Sequence, residues 1–101
     1  MPGLIMDMTP DDARRIVLDY LKQLEQDTGC ELTVLDGNTL EREFGWVFFY
    51  NSKLYVETGD VIHALAGNAP IVVTRRDRRL HVTGTAHPVE HYLVAFAEYE
   101  A

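Results

Sequence analysis

The stretch Phe44-Gly45-Trp46-Val47-Phe48-Phe49-Tyr50 constrains this chain more than any other part of it. Side chains alternate in direction along an extended backbone. Phe44, Trp46, Phe48 and Tyr50 therefore share one face, and Gly45, Val47 and Phe49 the other. Apolar groups on both faces predict a central strand, paired on both edges.

The segments around it supply its neighbours. Thr9-Pro10-Asp11-Asp12 is a helix start, with a capping hydroxyl, a proline suited to the first turn and two carboxylates at the positive helix end. Ala13, Ile16, Val17, Tyr20, Leu21 and Leu24 then recur at helical spacing, and Gly29 can end the helix. Residues 31–35 read as a strand, Asp36-Gly37-Asn38 as a turn, and Asn51-Ser52-Lys53 as a second turn. Asp60 is placed to cap a short helix through Leu65 that Gly67 ends. Residues 70–74 and 80–83 read as a hairpin joined through Arg76-Asp77-Arg78. Pro88 opens a last helix with Val89, Tyr92, Leu93, Phe96 and Tyr99 in one stripe. The order predicts an α+β fold: about four antiparallel strands, with an N-terminal and a C-terminal helix packed on one face. At 101 residues, positions 1–101 are expected to form one domain.

Charge narrows the partners. The chain carries a formal net charge of −7; the arginine-rich stretch 75–79 contributes +3, leaving −10 on the rest. Such a surface repels phosphate and anionic lipid, so nucleic acid and membrane are not expected partners, whereas a basic protein is. One cysteine, Cys30, excludes an intramolecular disulfide. The first residues lack the basic and apolar regions of a signal peptide, and the uncharged run 61–74 is broken by Gly67, Asn68 and Pro70. The expected compartment is the cytoplasm.

Motifs that carry chemistry are few. His87-Pro88-Val89-Glu90-His91 fits the H-x-x-E-H pattern, but a catalytic zinc needs a third protein ligand, and Pro88 puts His87 at or outside the helix start. Neither a metal site nor a cofactor is expected. Cys30 follows a helix end beside Glu31, where a packed thiol is expected rather than a nucleophile. Gly59, Gly67 and Gly84 lie in separate turns and form no phosphate-binding loop. The arginines at 75–79 read as a solvated hairpin tip.

The succession 44–52 (Phe-Gly-Trp-Val-Phe-Phe-Tyr-Asn-Ser), Glu57-Thr58-Gly59-Asp60, Leu65-Ala66-Gly67-Asn68-Ala69-Pro70 and Gly84-Thr85-Ala86-His87-Pro88-Val89-Glu90 resembles the YrhB-like family, also called immunity protein 35. The likeness covers roughly residues 40 to 100, and the first helix matches in character. It implies a small bacterial protein that often neighbours a secreted polymorphic toxin and neutralises it in the producing cell. For standalone relatives it implies a chaperone-like role. It implies no catalytic residues.

Two helices on one sheet face would leave the other face open. Val47 and Phe49, with Tyr55, would then form an interaction patch beside Thr33, His81 and Thr83, and Glu57 and Asp60 would add acidic groups for a basic toxin domain. On a competing reading, Glu57, Asp60 and Asn68 bind loop amides and hold the fold. The exposed edges of a small sheet also leave room for a homodimer.

Overall fold

The computed structural model describes residues 8–65 and 68–100, with side chains as far as Ala97. Helix α1, Pro10–Thr28, begins at a capping box: the Thr9 hydroxyl accepts from Asp12 N (3.1 Å) and the Asp12 carboxylate accepts from Thr9 N (3.0 Å). It ends at Gly29 in the left-handed region. Ala13, Val17 and Leu21 are its buried stripe, flanked by Ile16, Tyr20 and Leu24.

The strands are β1 (Leu32–Val34), β2 (Leu40–Arg42), β3 (Gly45–Phe48), β4 (Tyr50–Ser52), β5 (Ile71–Thr74) and β6 (Leu80–Val82). They form an antiparallel four-stranded sheet in the order β2-β3-β5-β6, and a two-stranded ladder of β1 with β4. Between them lie α2 (Lys53–Thr58) and two 3₁₀ turns, Asp36–Asn38 and Val61–His63; α3 (Val89–Glu100) closes the order. The protein is thus α+β, with a four-stranded antiparallel sheet and helices at both ends.

The aromatic run is central, as its composition predicts, but it is divided. Gly45–Phe48 belongs to the large sheet, Phe49 breaks the ladder, and Tyr50–Ser52 pairs with β1. Trp46, Phe48 and Tyr50 face α1 together with Ile71 and Val73. Burial, and secondarily the neighbouring Tyr20, pushes the Tyr50 phenol above its ordinary value of 10.0. Phe44 departs from the alternation. It sits in the two-residue turn between β2 and β3 and joins the opposite cluster with Val47, Val72 and Leu93.

That second cluster corrects the expected layering: the terminal helices do not share a face. Trp46 and Phe48 alternate with Val47, as Ile71 and Val73 alternate with Val72; α1 covers the first set and α3 the second. Val47 and Val72, both 0% exposed, need cover on their own side, and α3 supplies it through Val89, Leu93 and Phe96. The sheet is buried between two helices.

The β5–β6 hairpin forms as expected, pairing Ile71 with Val82 and Val73 with Leu80. Its turn is tied by buried Thr74, whose hydroxyl meets Asp77, the Arg79 carbonyl and His81 Nε2. Two expectations for the middle of the chain change. Asn51 and Ser52 are strand rather than turn, and the helix expected after Asp60 is a single 3₁₀ turn. Gly67 and the side chain of Tyr99 lie outside the described residues.

Candidate interaction surface

The residues expected to form one patch fall into separate places. Val47 is fully buried beneath α3, and Phe49 is half-buried at the margin of the same cluster. Phe49 also borders a shallow groove with Gly37, Asn38, Thr39 and Leu40. His81, paired with Val72 across the sheet, sets its ring edge-on against Phe96 (5.0 Å between centroids) and its Nε2 3.1 Å from the Thr74 hydroxyl. Thr83 is half-buried, and its hydroxyl donates to the Pro70 carbonyl (2.7 Å). The face expected to be open is covered by α3, with Val47, Phe49 and the His81 ring packed there and Thr83 bonded to the neighbouring strand end.

Tyr55, Glu57 and Asp60 lie off the four-stranded sheet, on α2 and at the turn that follows it. β3 runs antiparallel to β5, so the Gly45/Thr74 end carries the arginine hairpin and the Phe48/Ile71 end leads into β4 and α2. The chain from 51 to 65 is held by short polar side chains. Ser52 caps α2 by accepting from Tyr55 N (3.0 Å) and donates to the His63 carbonyl. Asn51 Oδ1 accepts from both Ser52 N and Leu65 N (2.8 Å each). Thr58 donates to Leu54 O (2.7 Å) and accepts from Asp60 N (3.1 Å), while Asp60 caps the 3₁₀ turn through Ile62 N (3.1 Å). Asn68 reaches back to the Tyr50 carbonyl. Asp60 thus binds a loop amide, as one sequence reading expects, whereas Asn68 ties the loop by donating to a carbonyl; among the described residues Glu57 makes no such bond.

This hydrogen-bonded segment presents apolar side chains to solvent. Val61 and Ile62 are each 78% exposed, and Leu54 and Val56 on α2 are each 48% exposed. Glu57 and Asp60 stand exposed among them, and Lys53 at the start of α2 pairs with Glu31 (3.5 Å). Sequence patterning missed Val61 and Ile62. Apolar residues after a cap read as the buried stripe of a helix, and a three-residue turn has no stripe to bury. The available signal was local: an Asp cap followed at once by two β-branched residues and His63 leaves no room for helical periodicity.

Other chemistry-bearing groups are engaged structurally. His87 and His91 stack at 4.1 Å between ring centroids, Glu90 pairs with Arg42 (3.1 Å), and the Tyr92 hydroxyl accepts from His87 N (3.2 Å). Among the described residues no three His, Cys, Asp or Glu side chains converge to hold a metal. Half-buried Cys30 lines a groove of about 380 Å³ with Gly29, Glu31, Lys53, Leu54 and Glu57, and its Sγ lies 3.7 Å from the Glu31 carbonyl. Among the described residues no helix is long and apolar enough to cross a membrane.

Comparison with known proteins places this arrangement in a family. The chain is 43% identical over 49 residues to a protein of Escherichia coli (strain K12) described as uncharacterized protein YrhB. That match takes in 48% of this chain and spans 52%, about half, of the relative's length. No solved structure matches the chain. The family model described as immunity protein 35 matches residues 11–95, from the first turn of α1 into α3. The chain belongs to the immunity protein 35 family.

Proposed function

We propose that this protein is a single-domain cytoplasmic immunity factor that binds a toxin domain and blocks it by contact, without catalysis of its own. The observation that carries the reading is the family match across residues 11–95. The acidic balance of the chain supports a partner with a basic surface. A net charge of −7 speeds encounter with such a partner and disfavours nucleic acid and anionic membrane. The three-residue edge strands β2 and β6 leave a homodimer sterically open.

The test is co-expression in a heterologous bacterium with the toxin domain encoded beside the gene. The expected outcome is survival of cells carrying both genes and killing of cells carrying the toxin alone. A pull-down at low and high salt should recover one stoichiometric partner, held less firmly as salt rises. Equal killing with and without this protein would overturn the immunity reading. A second reading, a chaperone-like binder of many clients, draws on the exposed apolar residues of the α2 segment. Suppression of aggregation of a heat-denatured client, with no single stoichiometric partner, would favour it.

A further inference from the structure

Val61 and Ile62 are the most exposed large apolar residues among those described. Fully burying a side chain of this kind is worth about 1.5–3 kcal/mol, so two adjacent ones in water are an unused source of association energy. They are held there. The turn is closed by His63 N to Asp60 O (3.0 Å) and Ala64 N to Val61 O (3.1 Å), and Ser52, only 2% exposed, locks it to α2 through the His63 carbonyl. Apolar groups on a tied turn lose little freedom on docking, which is the property of an anchor residue.

Resting on the immunity reading, we propose that the α2–turn segment is the toxin-docking surface. Val61 and Ile62 fill an apolar socket on the toxin domain, and Glu57 and Asp60 face a basic rim around it. Charge selects this occupant. A second copy docked symmetrically on this surface would bring the two sets of Glu57 and Asp60 together, and an acidic or phosphate-bearing partner would meet the same repulsion. Five of the seven arginines, Arg42, Arg75, Arg76, Arg78 and Arg79, lie at the opposite, Gly45/Thr74 end of the sheet, away from Glu57 and Asp60.

The experiment is calorimetric titration of a catalytically inactive form of the toxin domain encoded beside the gene. It is run against the native protein, the double variant V61S/I62S, Glu57→Lys, and two controls at exposed apolar residues elsewhere, Val82→Ser and Val94→Ser. Unchanged circular dichroism and melting curves establish that each variant is folded. The proposal expects one-to-one binding by the native protein and a loss of about thirtyfold or more in V61S/I62S. Glu57→Lys should weaken binding at low salt but much less at high salt, and both controls should stay within about twofold. Native-strength binding by V61S/I62S overturns the docking surface and leaves the immunity reading standing. No binding by the native protein overturns the immunity reading and the surface with it. If the native protein self-associates in sedimentation and V61S/I62S does not, the occupant is a second copy, and the toxin assignment fails.

Discussion

A side chain at position 45 would collide with the carbonyl oxygen of Val73, because β3 and β5 pair Gly45 with Thr74 and the backbone runs through Gly45 at φ 148°. Both conditions select glycine, one by space and the other by conformation. Gly45→Ala should therefore destabilise the protein by about 2–4 kcal/mol, adding overpacking to backbone strain. A lowered urea midpoint with an unchanged slope would show it; a midpoint matching the native protein would mean that the strand pair shifts freely. Beside it, Arg75 does more than solvate a hairpin tip. Its guanidinium lies 4.3 Å from the centre of the Trp46 ring and donates to the carbonyls of Arg42 (3.0 Å) and Glu43 (3.3 Å), joining β5 to the β2–β3 turn. The two carbonyls lie more than thirty positions away in sequence. Local patterning could place Arg75 in a turn, yet it had no access to the register that brings Trp46 beneath it.

Elements with their own start and stop signals were legible; elements defined by their partners were not. Thr9, Pro10, Asp12 and Gly29 mark both ends of α1 within the sequence, and its six-residue apolar stripe is the one that packs. The capping bond also sets a pH dependence. The Thr9 backbone N–H and hydroxyl hold the Asp12 carboxyl below its ordinary value of 3.8. A depressed folded-state value means that the contribution is full above 3.8 and disappears as pH falls through the folded value. Asp12→Asn should accordingly lower the melting temperature near neutrality and cost little well below pH 3; an equal loss at both pH values would place the effect in packing instead. By contrast, β2 went unseen. Leu40-Glu41-Arg42 offers three residues, two of them charged, and becomes a strand only because Val47, Trp46 and Gly45 pair with it. The six residues of α2 were hidden in the same way, since Ser52 reads equally well as a turn residue and as a cap. For the candidate surface, sequence reasoning named Glu57 and Asp60 on local grounds and missed Val61 and Ile62, whose exposure follows from the short turn and the network that ties it.

The molecule carries two cores of unequal depth on the two faces of one sheet, and this bears on which surface meets a partner. Toward α1, Val17, Trp46, Ile71 and Val73 are almost wholly buried, and Val34 and Tyr50 extend that core beneath the second ladder. Toward α3, the helix contributes one buried side chain among the described residues, Leu93, with Val89 and Phe96 half-buried beside it. Gly84 also helps to seat the helix, since a Cβ there would come within 2.5 Å of the Tyr92 hydroxyl. A face sealed by so few of the described side chains should open locally before the rest unfolds. Leu93→Ala should cost about 2–4 kcal/mol by the ordinary penalty for a cavity. Hydrogen exchange would show that loss mainly in the amides of α3, with those of β3 and β5 keeping most of their protection. Uniform loss in α3, β3 and β5 would mean one cooperative unit. The same variant separates the sheet face that the sequence brought forward from the α2–turn surface that the structure adds. Freeing α3 uncovers Val47, Val72 and Phe44, so a partner that docks on the sheet face should bind Leu93→Ala more tightly, having less helix to displace. A partner that docks on Val61 and Ile62 should bind it as it binds the native protein, because those side chains are held by Ser52 and Asp60, away from the cluster that Leu93 joins.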